Sequence, residues 1–167
     1  GLENLVSVSG RITIAMNESL ETLQGLNNLQ QAGEIWINGN PVLETLDGLN
    51  SLRAIEGDVV IWQNEALENV EGLEVLETVA GDFKVCDNAS LTNLDSIRSL
   101  RSIGKSLIIV DNPELNNLGQ LGQIKNLPGE LNINQNPSLE DLDGLVGLET
   151  VLGDIHIYSL DSLGNTN

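Results

Sequence analysis

The chain has few residues of several types, and each shortage excludes a class of protein. It holds 7 Lys and Arg against 25 Asp and Glu among 167 residues, for a formal net charge of -18. Nucleic acid and anionic membranes need a basic surface, so we predict neither as a partner. No apolar run is long enough to cross a bilayer, which predicts no direct membrane insertion.

Cysteine, histidine and aromatic residues are equally scarce. The single cysteine, Cys86, excludes an intrachain disulfide. The single histidine, His156, has no nucleophile beside it, and no zinc-ligand spacing, phosphate loop or dinucleotide fingerprint occurs. We therefore predict no catalytic residue, no metal site and no cofactor. Aromatics make up 2% of the chain, so Leu, Ile and Val must build the core.

What the sequence does contain is a repeat of 24 residues, with a first step of 23. Blocks begin at Gly10, Gly33, Gly57, Gly81, Lys105, Gly129 and Gly153. A fixed period of this size is typical of a solenoid, in which each block is one coil stacked on the next. We predict a single repeat domain over residues 1–167. Partial coils at 1–9 and 153–167 lead us to expect that it is excised from a longer chain.

Each block opens with a strand pattern. Counted from the glycine as position 0, positions 2 and 4 are apolar in every block, as at Ile35 and Ile37. Alternation with period two predicts a β-strand with one face on the core. Stacked strands would form a parallel sheet, and the crossover rule predicts right-handed winding. The predicted fold is mainly β, a right-handed parallel β-solenoid of about seven coils. We expect a positive φ at the opening glycine.

Position 7 is asparagine in six consecutive blocks. The series is Asn17, Asn40, Asn64, Asn88, Asn112 and Asn136. Stacked amides satisfy backbone groups at a sharp corner, so we predict an inward, structural ladder. Asn17-Glu18-Ser19 and Asn88-Ala89-Ser90 match the N-glycosylation pattern, and the inward position predicts that neither is used.

After this corner, apolar residues recur at every third position, as at Leu43, Leu46, Leu49 and Leu52. An α-helix would spread such a series around its circumference, because three residues turn about 300°. The spacing therefore predicts short extended pieces joined by turns, or 3₁₀ segments.

The run from Leu73 to Leu91 carries a family resemblance. With apolar residues at Leu76 and Val79, Gly81-Asp82, and Asn88 before Leu91, it resembles the leucine-rich repeat and, more closely, the receptor L domain. That domain occurs in extracellular parts of relatives of the insulin and epidermal-growth-factor receptors, and in surface proteins of fungi and microbes. The resemblance implies a non-enzymatic domain outside the cell or on its surface, with ligands contacting the exposed face of the main sheet.

This chain departs from the receptor examples in three respects. It lacks their disulfides and Cys-rich modules, shows no capping helix, and has more regular repeats. The resemblance therefore implies a microbial or fungal cell-surface protein more than a hormone receptor.

Positions 3 and 5 of the strand point away from the predicted core and define the candidate partner-binding residues. They are Trp36, Val60, Trp62, Lys84, Ile108, Val110, His156 and Tyr158. Three of the four aromatic residues lie on this face although the core hardly uses aromatics, which indicates a contact surface. A neighbouring copy or another segment that covers the face would explain them equally well.

A second outward row is acidic. It comprises Glu44, Asp47, Glu68, Glu71, Asp95, Glu140 and Asp143. A solvated surface explains this row better than Ca²⁺, because Ca²⁺ needs several oxygens converging on one point.

These observations predict a non-enzymatic recognition or adhesion module that binds a protein or glycan through its sheet face. One alternative is a structural repeat protein of a filament, coat or matrix, for which self-association would be required. A third possibility is a carbohydrate-active β-helix enzyme.

Overall fold

The computed structural model describes residues 1–163 and consists mainly of short parallel strands, numbered in chain order. One strand opens each coil: β1 (Ser7–Ala15), β2 (Gln31–Asn38), β4 (Val59–Trp62), β6 (Phe83–Cys86), β8 (Leu107–Val110), β10 (Leu131–Asn134) and β12 (Ile155–Tyr158). Two-residue strands lie between them: β3 (Ala54–Ile55), β5 (Thr78–Val79), β7 (Ser102–Ile103), β9 (Asn126–Leu127) and β11 (Thr150–Val151).

The seven opening strands pair in parallel in the order β1-β2-β4-β6-β8-β10-β12. Equal block positions face each other, so Ile35 pairs with Val59 and Val59 with Phe83. The strands mark about six turns of a solenoid, which confirms the predicted mainly β, parallel β-solenoid. The 23-residue first step appears as a bulge in β1, where the register shifts between Val8 and Arg11.

Positions 2 and 4 of these strands face the core. Ile35, Ile37, Val59 and Ile61 are each buried beneath neighbouring coils. In β12 the equivalent Ile155 and Ile157 are 57% and 39% exposed, because no coil of the described structure stacks on their outer side. Burial of an apolar position therefore depends on stacking as much as on its place in the block.

The three-residue series forms a chain of turns. The backbone N–H of Leu49 donates to the carbonyl of Leu46 at 3.1 Å, and that of Leu52 donates to Leu49 at 2.8 Å. Two such stretches become 3₁₀-helices, Leu121–Gln123 and Asp143–Leu145. No α-helix occurs among residues 1–163. The prediction of turns in place of a helix is confirmed.

The expected positive φ at the opening glycines is wrong. None of these glycines lies in the left-handed region. From Gly33 onward they are needed because coils approach closely: a Cβ on Gly33 would lie 2.4 Å from the carbonyl oxygen of Ser9, whereas a Cβ on Gly10 would meet nothing within 4 Å.

Left-handed backbone occurs instead at position 6, where the strand ends. The residues are Met16, Gly39, Gln63, Asp87, Asp111, Gln135 and Ser159, with φ between 53° and 64°. Six of the seven are not glycine, although this region is sparsely populated by side-chain-bearing residues. The left-handed residue redirects the chain between the strand and the following asparagine.

The asparagines at position 7 form a continuous hydrogen-bonded ladder. The backbone N–H of Asn64 donates to Oδ1 of Asn88 at 3.1 Å, and Nδ2 of Asn64 donates to the carbonyl of Ile37 at 3.0 Å. Oδ1 of Asn64 accepts from the backbone N–H of Asn40 at 3.2 Å. Asn40, Asn64, Asn88, Asn112 and Asn136 are fully buried. Each side-chain amide thus satisfies backbone groups of the preceding coil and of its own coil, and its backbone N–H is satisfied by the amide of the next coil.

Asn17 departs from the expected inward position. Its Nδ2 donates to Oδ1 of Asn40 at 2.9 Å, so it joins the ladder, but its side chain is exposed in the first coil. Burial therefore does not exclude the sequon at Asn17, whereas the sequon at Asn88 lies within the core.

Asn88→Ala should lower the free energy of unfolding by about 1–3 kcal/mol, because buried backbone groups lose their partners. Asn38→Ala is the matched control, since Asn38 ends a strand on the outward face and is half-exposed. Urea titration of both variants gives the comparison. Equal, small losses would show that the ladder adds nothing to stability.

Candidate functional site: the outward face of the main sheet

The outward residues of the main sheet form two columns, because equal positions pair from strand to strand. One column runs through Trp36, Val60, Lys84, Ile108, Asn132 and His156. The other runs through Asn38, Trp62, Cys86, Val110, Asn134 and Tyr158. All eight candidate partner-binding residues lie in these two columns, on one side of one sheet.

The middle of this face is largely apolar. Trp62 is 40% exposed beside Val60, which is half-buried on the same strand, β4. Ile108 and Val110, also half-buried, lie two strands away on β8, with β6 between. The indole Nε1 of Trp62 donates to Oδ2 of Asp87 at 2.5 Å. This bond anchors one edge of the ring while leaving much of its surface exposed.

The ring of Trp36 is less accessible to a ligand than that of Trp62. The guanidinium carbon of Arg11 lies 4.0 Å from the centre of the Trp36 ring, a cation–π contact. Nε of Arg11 also donates to Oε2 of Glu34 at 2.7 Å, which holds the guanidinium in place. Trp36 is half-buried and its Nε1 has no partner among the described residues. A ligand would therefore contact Trp62 before Trp36.

Lys84 lies on β6, the central strand of the face, and pairs with an acidic residue of its own coil. Its ammonium lies 2.9 Å from Oδ2 of Asp82, at position 1 of the same coil. Burial acts to lower the pKa of Lys84, but the hydrogen bond and charge of Asp82 outweigh it and raise that pKa. Lys84 therefore stays charged at neutral pH and is paired within the chain.

The β10–β12 end of the face is polar. Nδ2 of Asn134 donates to Oδ1 of Asn132, and Asn134 is buried although its position faces outward. His156 and Tyr158 on the next strand are exposed. Asn132 and Asn134 are not among the partner-binding residues predicted from the sequence. Their block positions, 3 and 5, were the signal that would have found them.

A second ladder borders the face at position 1. The backbone N–H of Asp82 donates to Oδ1 of Asp58 at 2.9 Å, and that of Ser106 donates to Oδ1 of Asp82 at 2.9 Å. Burial acts to raise the pKa of Asp82, but hydrogen bonds from Lys84 and Ser106 lower it overall. This ladder was not predicted, because Asp, Ser and Glu all occupy position 1. No single residue type at that position indicates that its side chain accepts a hydrogen bond from the backbone of the next coil.

The groups on the face offer little nucleophilic chemistry. Burial raises the pKa of the Cys86 thiol to about 11, so the thiol remains protonated at neutral pH. Within residues 1–163, no three His, Cys, Asp or Glu side chains converge as metal ligands. All seven members of the acidic row are exposed.

The fold is a parallel β-solenoid whose outward residues form one continuous face. The family model of the receptor L domain matches residues 53–144, more than half of the chain, and the chain belongs to this family. Its members are non-catalytic ligand-binding domains, typically extracellular parts of receptors. No curated protein and no solved structure matches the chain. Within the described residues no helix has the length and hydropathy to span a bilayer.

Cys86 should react slowly with iodoacetamide in the native protein at pH 8, because the reactive thiolate forms only near pH 11. In urea the rate should rise to that of an ordinary exposed thiol. Mass spectrometry over time measures both rates. Equal rates in the two states would contradict the burial of this thiol.

Asp111→Asn should raise the melting temperature at neutral pH. Burial, and then the charge of Asp87, raise the pKa of Asp111, so its ionised form destabilises the folded state. This penalty is present above the folded-state pKa and disappears as the pH falls below the unfolded-state pKa, where both states are protonated. The difference between variant and parent should therefore vanish in acid. Asp95→Asn, in the exposed acidic row, is the control.

Proposed function

We propose that this protein is a non-enzymatic recognition or adhesion module that binds a protein partner through the outward face of its main sheet. The observation that carries the proposal is Trp62, exposed beside Val60 on a rigid sheet that carries Ile108 and Val110 two strands away. Membership in a family of ligand-binding domains supports the same function.

The arrangement has the features of a protein-binding surface. Seven strands at about 4.8 Å spacing give a face about 29 Å long with little backbone freedom to lose on binding. Exposed tryptophan surrounded by smaller apolar side chains is a typical binding hot spot. Lys84 lies on the central strand, β6, but its charge is already paired with Asp82 within the chain, so a partner need not supply a counter-charge.

The polar end of the face suits a different ligand. Asn132, His156 and Tyr158 together offer an amide, an imidazole and an aromatic ring, groups that recognise sugars. The larger apolar middle favours protein, and glycan binding is the other outcome that the test must separate. The family's typical location supports placement outside the cell or at its surface.

Trp62→Ala should weaken partner binding by about 2 kcal/mol, or roughly thirtyfold, without unfolding the protein. Trp36→Ala should weaken it less, because Arg11 already covers that ring. The immobilised chain is used to capture proteins from its source cells, and captured proteins are quantified by mass spectrometry. Each candidate is then purified and titrated against the variants.

Val146→Ala is the control, because Val146 is 85% exposed but lies outside the two columns. Melting curves of all variants show whether they fold. Unfolding of Trp62→Ala, or unchanged affinity, would refute the proposed face. Binding to a glycan array that survives Trp62→Ala but is lost in Tyr158→Ala would move the site to the polar end. Capture of the chain itself would instead indicate self-association.

A further inference from the structure

A groove runs along the solenoid beside the sheet face, at the corner where each strand ends. It arises because the asparagine at position 7 turns inward and leaves no side chain between positions 6 and 8. Those two positions line it over five successive coils, from Met16 and Glu18 to Asp111 and Pro113. Its volume is about 1060 Å³. A continuation beyond Pro113 reaches Ser159.

The groove has the length of a short extended peptide. Five coils at about 4.8 Å spacing give about 19 Å, and an extended chain advances about 3.3 Å per residue. About six residues therefore fit along it. Because it is open along one side, an extended segment could enter without any movement of the solenoid.

Its charge indicates which peptide it fits. Glu18, Glu65, Asp87 and Asp111 all line the groove. None of them takes part in the seven ion pairs found among residues 1–163. Asp87 and Asp111 occupy the same position on adjacent coils, so each lies in the field of the other. A cationic occupant would relieve that repulsion.

The rest of the lining suits a peptide better than a simple polyamine. Gln63 has an amide that can hydrogen-bond to peptide backbone, and Met16 is an exposed apolar surface for the aliphatic part of a lysine side chain. Gly39 and Ala89 add little bulk and keep the groove wide. Trp62, bonded to Asp87, joins the groove to the sheet face.

We propose that this groove binds an extended Lys- or Arg-rich segment of a partner protein, about six residues long, through Glu65, Asp87 and Asp111. The inference does not depend on the proposed function of the sheet face, since it uses different residues. A partner that occupied both would contact Trp62 and place its basic segment beside it.

The test titrates acetylated, amidated hexalysine into the protein at low ionic strength by calorimetry. The groove variant combines Glu65→Gln, Asp87→Asn and Asp111→Asn. Asparagine tolerates the left-handed backbone of position 6, and Oδ1 of the new residue 87 can still accept from Trp62, so the variant should fold. It should bind hexalysine at least about tenfold more weakly, because three charge contacts are lost together.

The matched control combines Glu71→Gln, Asp47→Asn and Asp95→Asn, all in the exposed acidic row. It removes the same residue types and the same charge, and its affinity should stay within about twofold of the parent. Equal weakening in both variants would show that hexalysine senses only the bulk negative charge, which overturns the proposal. Failure of hexalysine to bind the parent overturns it as well.

Fluorescence locates the bound peptide. In a Trp36→Phe background Trp62 is the sole tryptophan, and the substitution removes no hydrogen bond because Nε1 of Trp36 has no partner. Hexalysine should change Trp62 emission with the same dissociation constant as in calorimetry. Unchanged emission would place the peptide elsewhere and overturn the proposal. Spermine binding as tightly as hexalysine would overturn the choice of a peptide as occupant.

Discussion

The solenoid depends on how the backbone N–H and C=O groups are hydrogen-bonded at the corner after each strand. A sharp buried corner leaves N–H and C=O groups without water, and an unpaired buried group is costly. The asparagine ladder solves this for the coils that it joins: Nδ2 of Asn112 donates to the carbonyls of Val85 and Val110, at 3.0 and 3.1 Å. Since each amide bonds to the next coil, the ladder also sets the register. The sheet face and the groove both follow from this ladder. Equal block positions become columns on the face, and the inward turn of each asparagine leaves the groove beside it.

The same stacking explains the electrostatics. When a charged residue recurs at one block position, stacking places like charges in a row about 4.8 Å apart. Several of the few cations bridge coils: Arg53 reaches Glu77 of the next coil at 3.3 Å, and Arg101 reaches the same carboxylate from the other side. With 7 Lys and Arg against 25 acids, most carboxylates have no such partner. The groove carboxylates belong to this majority, which is why a basic ligand suits them.

Much of the fold was predictable because the repeat averages local signals over many copies. Alternation such as that at Ile35 and Ile37 recurs in every block, and it correctly predicted the strands. The apolar residues at every third position, from Leu43 onward, also recur, and they correctly predicted turns in place of a helix. The errors arose where a residue meets another coil. The opening glycines are needed for close approach, as at Gly33, and not for positive φ. Asn17 has the same block position as the buried asparagines, but it has a ladder asparagine, Asn40, on one side only and is therefore exposed.

The sequence by itself determined the period, the parallel solenoid, and the side chains that point outward, since these follow from residue order within one block. Only the tertiary structure decided what is available on the surface. Arg11, about one coil before Trp36 in the sequence, covers that ring, while Trp62 stays exposed with its nitrogen bonded to Asp87. Lys84 pairs with Asp82 of its own coil. These outcomes depend on contacts across coils and on side-chain reach, and a pattern of block positions contains neither.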